Sequence, residues 1–335
     1  MILYIGNNLS KTTNNVTTLQ LLTKLLQSEA YEVKCTSSQK NQVLRLLAML
    51  VSMVKYRNKI TYILIDTYST KNFYYAFLTS QLARLLQLKY VPILHGGHLP
   101  KRLKTSPKMS QLIFSNSYKN VAPSNYLKKA FEKEGFATLF IPNVLEIDAY
   151  KFKERTHFQP KLLYVRAFQK LYNPQMAIKV LAELKKDYPL AELCMVGPDK
   201  DGSLLACRTL ADKLNVGNAI RFTGLLPKKD WHELSENFDV FINTTTADNT
   251  PISVMEAMAL GLVVVSTNVG GVPYLIEDQK TGILVNSNAV LAMTEKIKGI
   301  LCNPLIYNKM IVSARADVAQ FDWAVVKEKW KAILK

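Results

Sequence analysis

The stretch from Asp248 to Pro273, DNTPISVMEAMALGLVVVSTNVGGVP, decides how the second half of the sequence is interpreted. Thr250 is a suitable N-cap, Pro251 suits the first helical residue because it needs no amide partner, and Gly261 can end the helix in the left-handed conformation. We therefore predict a helix from Pro251 to Leu260, followed by a strand and a glycine turn. The helix is apolar on every side, which indicates that it is buried.

Glu256 is the only charged residue of this helix. Burying a carboxylate costs several kcal/mol unless it is paired, so Glu256 should have a cationic partner or a ligand rich in hydroxyl donors. The start of the helix favours an anion, most often a phosphate. Together with Asp248, these groups would suit a nucleotide diphosphate sugar. The alternative is a core helix in which Glu256 meets an internal arginine and Asp248 is solvated.

Length and composition point to a two-domain protein. The chain has 335 residues, of which 48% are hydrophobic, and this is enough for two cores. No run approaches the ~18–20 apolar residues of a membrane span, and Met1 leads directly into a strand pattern rather than a signal peptide, so a cytosolic location is expected. Four widely spaced cysteines indicate buried free thiols rather than a zinc site or disulfides: Cys35, Cys194, Cys207 and Cys302.

The net charge of +17 is unevenly distributed. Residues 1–150 contain 19 Lys and Arg against 7 Asp and Glu, a net charge of +12, whereas the remainder contains 24 against 19, a net charge of +5. The first half should therefore meet an anionic partner. Charge alone does not choose between nucleic acid, an acidic membrane face and an acidic polymer.

The segment KNQVLRLLAMLVSMVKYRNK, residues 40–59, is predicted to form a helix from Gln42 to Arg57. Its apolar residues surround much of the helix, and its basic residues lie mostly toward the ends. This pattern fits a helix lying on acidic lipid, although a core helix whose charged ends reach solvent is the simpler interpretation. The basic residues are Lys40, Arg45, Lys55, Arg57 and Lys59.

The first half alternates strands with helices, which is typical of a doubly wound parallel sheet. Helices are predicted at about residues 16–28, 42–57 and 73–86, and again within PSNYLKKAFEKEGF. The loop NNLSKTTNN after the first strand lacks a dinucleotide-binding glycine pattern, so no cofactor is expected there. The predicted strands are Ile2–Gly6, Tyr31–Cys35, Tyr62–Asp66, Tyr90–Leu94 and Asn120–Ala122.

The fourth strand ends at the sequence HGGH, followed by the basic segment KRLKTSPK, which we interpret as a loop. Ligands bind beyond the carboxyl ends of parallel strands, and glycines allow them to approach the backbone. His95 is therefore predicted to point at substrate, with the basic loop attracting an anionic acceptor. The alternative is a solvated loop with a structural histidine. The acceptor-side candidates are Gly96, Gly97, His98, Lys101, Arg102 and Lys104.

A second alternation of strands and helices begins after a polar linker at residues 148–160. Strands are predicted at LLYVR, AELCMVG, AIRFTG and VFINTT. Helices are predicted at Pro174–Lys186, Ser203–Leu214 and Lys229–Asn237, and the stretch from Asp248 follows. Two tandem parallel sheets with a site between them are therefore expected.

The sequence resembles a known family. Asp248 and Glu256, separated by seven residues, together with EAMALG, VVVST, NVGGVP and TGILV, resemble the donor-site signature of family 4 glycosyltransferases. Asp248 replaces the family's usual Glu, and Val263 its usual Pro. Weaker matches follow in the expected order: HGG, VAPSNYL, IPN, LLYVR, MVG, FTG and FDWAVVKEKW.

This resemblance implies the GT-B fold, in which two Rossmann-like α/β domains with doubly wound parallel sheets face each other across a cleft. The acceptor-side domain would comprise residues 1–155 and the donor domain residues 156–316. Residues 317–335 would form a C-terminal helix that packs back on the first domain.

The same resemblance implies the roles of individual residues. Glu256 would bind the ribose hydroxyls, and His95 would contact the donor sugar. Arg166 and Lys170 would neutralise the diphosphate, although the family's Gly-Arg pair is missing and the Arg-to-Lys spacing is one residue shorter. The remaining donor-side residues would be Asp248, Asn249, Thr250, Pro251 and Ile252, with Gly197 near the nucleotide base.

The implied reaction is retaining transfer of a hexose from a nucleotide diphosphate sugar to a glycan or lipid-linked acceptor in cell-surface polysaccharide synthesis. It requires no metal or other cofactor, and the basic first domain would lie against an acidic membrane on its cytoplasmic face. One alternative is a nucleotide-sugar epimerase of similar fold. The other is a nucleic-acid-binding protein, but the basic residues are scattered and no nucleic-acid-binding signature is present, so no nucleic acid partner is expected.

Overall fold

The structure is a computed structural model that describes residues 1–6, 17–39 and 41–335. The loop NNLSKTTNN, the predicted helix start at Val16 and the basic residue Lys40 lie outside the described residues. Two compact units are present: unit 1 comprises residues 1–144 and 321–335, and unit 2 comprises residues 145–320.

The unit boundaries at 144/145 and 320/321 differ from the predicted 155/156 and 316/317. Much of the stretch assigned to a polar linker is packed into unit 2. Arg155 is buried and donates hydrogen bonds to the carbonyl oxygens of Phe238 and Gly261. Tyr150 is also buried and donates to Glu256. These long-range contacts assign residues 145–155 to the second unit.

Unit 1 contains a six-stranded parallel sheet with the order β2-β1-β3-β4-β5-β6. Its strands are β1 (Ile2–Ile5), β2 (Val33–Thr36), β3 (Tyr62–Tyr68), β4 (Lys89–His95), β5 (Asn120–Ala122) and β6 (Thr138–Phe140). The described helices between them are α1 (Thr18–Ser28), α2 (Gln42–Tyr56), α3 (Asn72–Leu85), α4 (Leu99–Thr105), α5 (Pro107–Phe114) and α6 (Asn125–Lys133).

The central strands of unit 1, β1, β3 and β4, are mainly apolar and buried because both faces of the sheet are covered. Alternate residues of a strand point to opposite faces. Leu3 and Ile5 of β1 accordingly pack with residues of α2 and α3, whereas Ile2 and Tyr4 pack with residues of α1. The core of unit 1 therefore has two layers, one on each side of the sheet.

The segment KRLKTSPK is helical, so the prediction of a basic loop is wrong. It belongs to α4 and the start of α5. Leu99 and Leu103, four residues apart and so on the same face of α4, are buried in an apolar cluster with Phe73 and Leu127. Two leucines in a strongly basic stretch are a weak signal for a helix. Their burial stabilises α4 in the folded protein.

Unit 2 contains a second six-stranded parallel sheet, with the order β12-β11-β10-β7-β8-β9. Its strands are β7 (Lys161–Val165), β8 (Glu192–Val196), β9 (Ile220–Gly224), β10 (Val240–Asn243), β11 (Val263–Thr267) and β12 (Ile283–Val285). Its described helices are α7 (Pro174–Leu184), α8 (Ser203–Lys213), α9 (Lys228–Ser235), α10 (Ile252–Ala259), α11 (Val290–Cys302) and α12 (Pro304–Val318).

The final helix, α13 (Trp323–Ile333), belongs to unit 1. Val326, Trp330 and Ile333 are buried in the apolar cluster that also contains Ile2 and Leu22. These side chains recur every three or four residues and so lie on one face of the helix. The last helix of the chain therefore packs in the same apolar cluster as its first strand.

The four cysteines are all free thiols. Cys194 and Cys207 are buried, and Cys35 is partly buried. Cys302 is exposed, so the expectation of buried thiols is wrong for this residue. It lies at the end of α11, where the last turn of the helix reaches the surface.

Candidate functional site

The candidate site of unit 2 lies at the carboxyl ends of β7 and β10. These strands are neighbours, and β8 and β11 continue the sheet in opposite directions from them. In open parallel sheets, ligands bind at the point where the strand order reverses. Arg166 follows β7 directly, and the loop that contains Asp248 follows β10. The topology therefore places both predicted site residues at the favoured edge.

Arg166 and Asp248 form an ion pair between Nη2 and Oδ2, and both side chains are largely buried. The Arg166 guanidinium carbon also lies 4.5 Å from the centroid of the Tyr172 ring. Burial lowers the pKa of Arg166, but an arginine stays protonated at neutral pH. Within the described residues, no acceptor bonds to its buried Nε. The expectation that Asp248 could be a solvated loop residue is wrong.

Lys170, the second predicted diphosphate ligand, is exposed at the start of a 3-10 helix, Lys170–Tyr172. Its backbone amide donates to Oδ2 of Asp201 at 2.9 Å. Among the described residues, no carboxylate forms an ion pair with its side chain. Arg166 is thus the buried cation of this edge and Lys170 the exposed one.

Three glycines hold the backbone of this site. A Cβ atom on Gly271 would lie 1.7 Å from the carbonyl oxygen of Asn249, and one on Gly270 would lie 2.1 Å from that of Asp248. Gly197 has φ +153°, and a Cβ there would lie 2.0 Å from the carbonyl oxygen of Arg166. The NVGGVP motif and Gly197 therefore position the loops that carry Asp248 and Arg166.

Helix α10 begins at Ile252, one residue later than predicted. Pro251 is the N-cap residue in place of Thr250, because its extended backbone, with ψ 106°, lies outside the helical region. Gly261, at φ +78°, ends the helix as predicted. The first turn of a helix leaves amide groups without intrahelical acceptors. Ser253 in this turn is buried, and its Oγ has no partner among the described residues.

Glu256 lies in the middle of α10 and is buried, with 3% of its surface exposed. Its Oε1 accepts hydrogen bonds from the Tyr150 hydroxyl at 3.1 Å and from Nζ of Lys228 at 2.7 Å. The predicted cationic partner therefore exists, but it is a half-exposed lysine from α9 rather than an internal arginine. Burial, reinforced by the charge of Glu256, raises the pKa of Tyr150, so its hydroxyl keeps the proton that it donates.

His232 completes the polar cluster around Glu256. Its ring centroid lies 4.8 Å from that of Tyr150. Burial, and then the charge of Lys228, lower the pKa of His232 to about 4, so the ring is neutral at pH 7. Its Nε2 is buried without a hydrogen-bond partner among the described residues. No local sequence signal identified Tyr150, Lys228 or His232, because only the fold brings them to Glu256.

The carboxyl edge of the unit 1 sheet has its own polar cluster. Nε2 of His95, at the end of β4, lies 2.9 Å from Oδ1 of Asp66 on β3, and the same oxygen accepts a hydrogen bond from the Tyr4 hydroxyl at 3.0 Å. The His95 ring stacks on Tyr68 with centroids 4.9 Å apart. Because a carboxylate only accepts, Nε2 of His95 carries a proton. Sequence reasoning treated Asp66 only as the end of a strand and missed this partner.

The acceptor-side candidates lie around the start of α4. Gly96 has φ +90°, which favours glycine, and the carbonyl oxygen of Gly97 accepts a hydrogen bond from Tyr126 at 3.3 Å. His98 is the N-cap residue of α4 and is exposed, as is Lys101. The guanidinium carbon of Arg102 instead lies 4.8 Å from the Phe73 ring centroid. Lys101 is therefore better placed than Arg102 to meet a ligand.

Comparison with solved structures defines the class of fold. The structure of Anabaena HepE in complex with UDP-glucose matches with a TM-score of 0.77 at 17% identity, covering 99% of this chain and 98% of that one. Sucrose-phosphate synthase from Thermosynechococcus elongatus matches with a TM-score of 0.79 at 16% identity, covering 99% and 97%. The chain therefore has the GT-B fold, with two Rossmann-like parallel-sheet units.

The chain belongs to the family described as glycosyl transferases group 1, whose model matches residues 146–317. A D-inositol 3-phosphate glycosyltransferase of Corynebacterium diphtheriae is 24% identical over 186 residues, covering 51% of this chain and 41% of that protein. The putative colanic acid biosynthesis glycosyltransferase WcaL of Escherichia coli is 33% identical over 96 residues, 27% of this chain and 24% of WcaL. These matches span less than half of the relatives' own length. They give no support to the epimerase or nucleic-acid-binding alternatives.

Proposed function

We propose that the protein transfers a sugar from a nucleotide diphosphate sugar to a glycan or lipid-linked acceptor in cell-surface polysaccharide synthesis, with retention at the anomeric carbon. One observation carries the proposal: Arg166 is a buried cation with an unused Nε donor, and its partner Asp248 lies just before the start of α10. A guanidinium and helix-start amides suit a diphosphate. The UDP-glucose complex of HepE and the colanic acid biosynthesis role in the name of WcaL support the same proposal.

Glu256 is proposed to bind the ribose of the donor. Tyr150 and Lys228 both donate to Oε1 of Glu256, so its second oxygen, Oε2, would accept the ribose hydroxyls. Lys170 would add a second cation for the diphosphate. The loop residues Asp248, Asn249, Thr250, Pro251 and Ile252 would contact the diphosphate and sugar, and Gly197 would lie near the base.

The proposed mechanism uses the departing diphosphate as the base. The bond between the anomeric carbon and the phosphate oxygen breaks, and the acceptor oxygen forms a new bond to the same face of that carbon. The acceptor proton passes to the departing phosphate oxygen. Arg166, Lys170 and the start of α10 would stabilise the charge on the leaving group, an effect often worth several kcal/mol.

No protein nucleophile, metal or cofactor is part of this proposal. In residues 1–6, 17–39 and 41–335, no group of three or more His, Cys, Asp or Glu side chains is placed to hold a metal ion. His95 is proposed to contact the transferred sugar, with Asp66 fixing its ring. Lys101, with Gly96, Gly97, His98 and Arg102, would attract an anionic acceptor. We propose a cytoplasmic protein that is peripheral to the membrane.

A thermal-shift screen against UDP-, GDP- and ADP-sugars tests the donor proposal. A ligand that binds the folded state stabilises it by about 2.7 kcal/mol at a hundredfold excess over Kd. One nucleotide class should raise the Tm of wild type and of Glu277→Gln, an exposed carboxylate of the same unit. The same ligand should barely shift Glu256→Gln. If Glu256→Gln responds as wild type does, the ribose assignment is wrong.

A further inference from the structure

Helix α2 presents an apolar face to solvent. Five aliphatic side chains on it are 48–66% exposed: Val43, Leu44, Leu47, Val51 and Val54. At about 100° per residue, all five lie within an arc of about 100° on one side of the helix. Met49 and Met53, on the opposite side, are buried in the core of unit 1. We call these five residues the α2 apolar face, and the prediction of a core helix is wrong for this side.

The α2 apolar face lies in a segment of the chain with an excess of positive charge. Single exposed apolar residues are ordinary, but a contiguous patch marks an interaction site. Residues 41–90 contain seven Lys and Arg and one acidic residue, Asp66, which is buried. The exposed surface of this segment therefore carries no carboxylate. Lys55, Arg57 and Lys59 are exposed where α2 ends.

We infer that the α2 apolar face docks on a membrane surface containing anionic lipid. Its aliphatic side chains would enter the boundary between headgroups and acyl chains, and the basic residues at its end would contact lipid phosphates. Apolar side chains flanked by cations are the pattern of helices that lie in this boundary. A nucleic acid would cover the cations but not the aliphatic stripe. A second copy of the chain would bring like charges together.

This contact would be peripheral. Helix α2 has 15 residues, about 22 Å at 1.5 Å per residue, which is shorter than the hydrocarbon core. Among the described helices, none combines the length and apolar character needed to cross a bilayer. The purpose of docking rests on the proposed function: a lipid-linked acceptor is confined to the membrane plane, so docking would raise its local concentration. The docking itself does not depend on the reaction.

Sedimentation with vesicles tests the inference. Wild type should pellet with vesicles of phosphatidylglycerol and phosphatidylcholine in equal parts, and remain in the supernatant with phosphatidylcholine alone. The double variant Leu47→Glu/Val51→Glu should lose at least about tenfold in vesicle affinity, because it places two charges in the apolar boundary. The matched control Leu205→Glu/Leu291→Glu, at two exposed leucines of unit 2, should bind as wild type does. Lys55→Gln/Lys59→Gln should weaken binding and reduce its dependence on salt.

Three results would overturn the inference: wild type that stays in the supernatant with the mixed vesicles, an α2 variant that pellets like wild type, or wild type that is a dimer while the α2 variant is a monomer by light scattering. The last result would assign the face to a second copy of the chain. Unchanged thermal unfolding of the variant shows that it folds. Nucleotide-sugar binding, measured separately by thermal shift, distinguishes a failure of the proposed transferase function from a failure of membrane docking.

Discussion

Arg155 and Arg166 of unit 2 are both largely buried, but the protein satisfies them to different degrees. Arg155 donates to six oxygens: the carbonyls of Lys153, Ser235, Phe238, Leu260 and Gly261, and the carboxylate of Asp239. Arg166 pairs with Asp248 and retains a buried Nε without an acceptor among the described residues. A fully bonded guanidinium has nothing left for a ligand. Arg155 is therefore structural, whereas the unused Nε of Arg166 supports our proposal that this residue binds an anion.

The largest expected effect is on stability, from Arg155→Met. The variant leaves Asp239 and several carbonyl groups buried without their donor, which should lower the free energy of unfolding by about 3–5 kcal/mol. Urea unfolding measures the loss, and Arg221→Met, at an exposed arginine of the same sheet, is the control. A loss below about 1 kcal/mol, the range of surface ion pairs, would mean that Arg155 does not have the structural role assigned to it.

Arg166→Gln should affect binding instead. Removing a charged donor to a diphosphate should lower the affinity for a nucleoside diphosphate by about 10–100-fold, and that for the monophosphate by less. Titration calorimetry with UDP, GDP or ADP measures both. Arg208→Gln is the matched control, because Arg208 also packs on an aromatic ring, Phe222, but is an exposed residue of α8. If Arg166→Gln and wild type bind the diphosphate with equal affinity, Arg166 is not a diphosphate ligand.

Asp66→Asn extends the comparison to unit 1, where Asp66 accepts from two donors at the carboxyl edge of the sheet. An asparagine oxygen still accepts but carries no charge, and the asparagine NH2 group can favour the other His95 tautomer, so kcat should fall about tenfold, the scale of a weakened orienting contact. Nucleotide affinity should not change. Tyr4→Phe removes the other hydrogen bond and should retain kcat. Equal losses in both variants would indicate that the cluster only supports the fold.

A smaller change in stability than that of Arg155→Met is expected from His232, as a pH dependence. Its pKa is about 4 when folded against about 6.5 when unfolded, so the unfolded state binds more protons between these values. Stability should therefore fall by about 1–2 kcal/mol as the pH drops through this window, allowing for partial exposure. Urea unfolding of His232→Phe and wild type across the window measures the difference. Parallel pH profiles would show that His232 does not titrate in this way.

The sequence predicts the elements of the site better than its polar partners. The central strands are mostly apolar runs, and Gly261 marks the end of α10 without tertiary information. Asp248 and Glu256 are recognisable as site residues because a carboxylate in or next to a buried apolar helix is costly unless it is paired or binds a ligand. Tyr150 and Lys228 lie 106 and 28 residues from Glu256, so only the completed sheet order places them beside it.

Sequence patterns also predict the solvent exposure of side chains poorly. An apolar helix such as α2 is normally assigned to a core, because periodicity does not show which of its faces has a neighbour. Leu47 and Val51 are exposed only because Met49 and Met53 take the side that faces the sheet. Conversely, the polar sequence around Arg155 predicts a solvated linker. Arg155 is instead buried, and it donates hydrogen bonds to carbonyl groups of distant segments.

A crystal structure with a bound nucleoside diphosphate would test the central claim most directly. The account predicts phosphate oxygens within hydrogen-bond distance of Nε of Arg166 and of the first amides of α10, and ribose hydroxyls on Glu256. A diphosphate bound elsewhere in the molecule, with the Arg166 and Asp248 pair unchanged and Glu256 still bonded only to Tyr150 and Lys228, would contradict it.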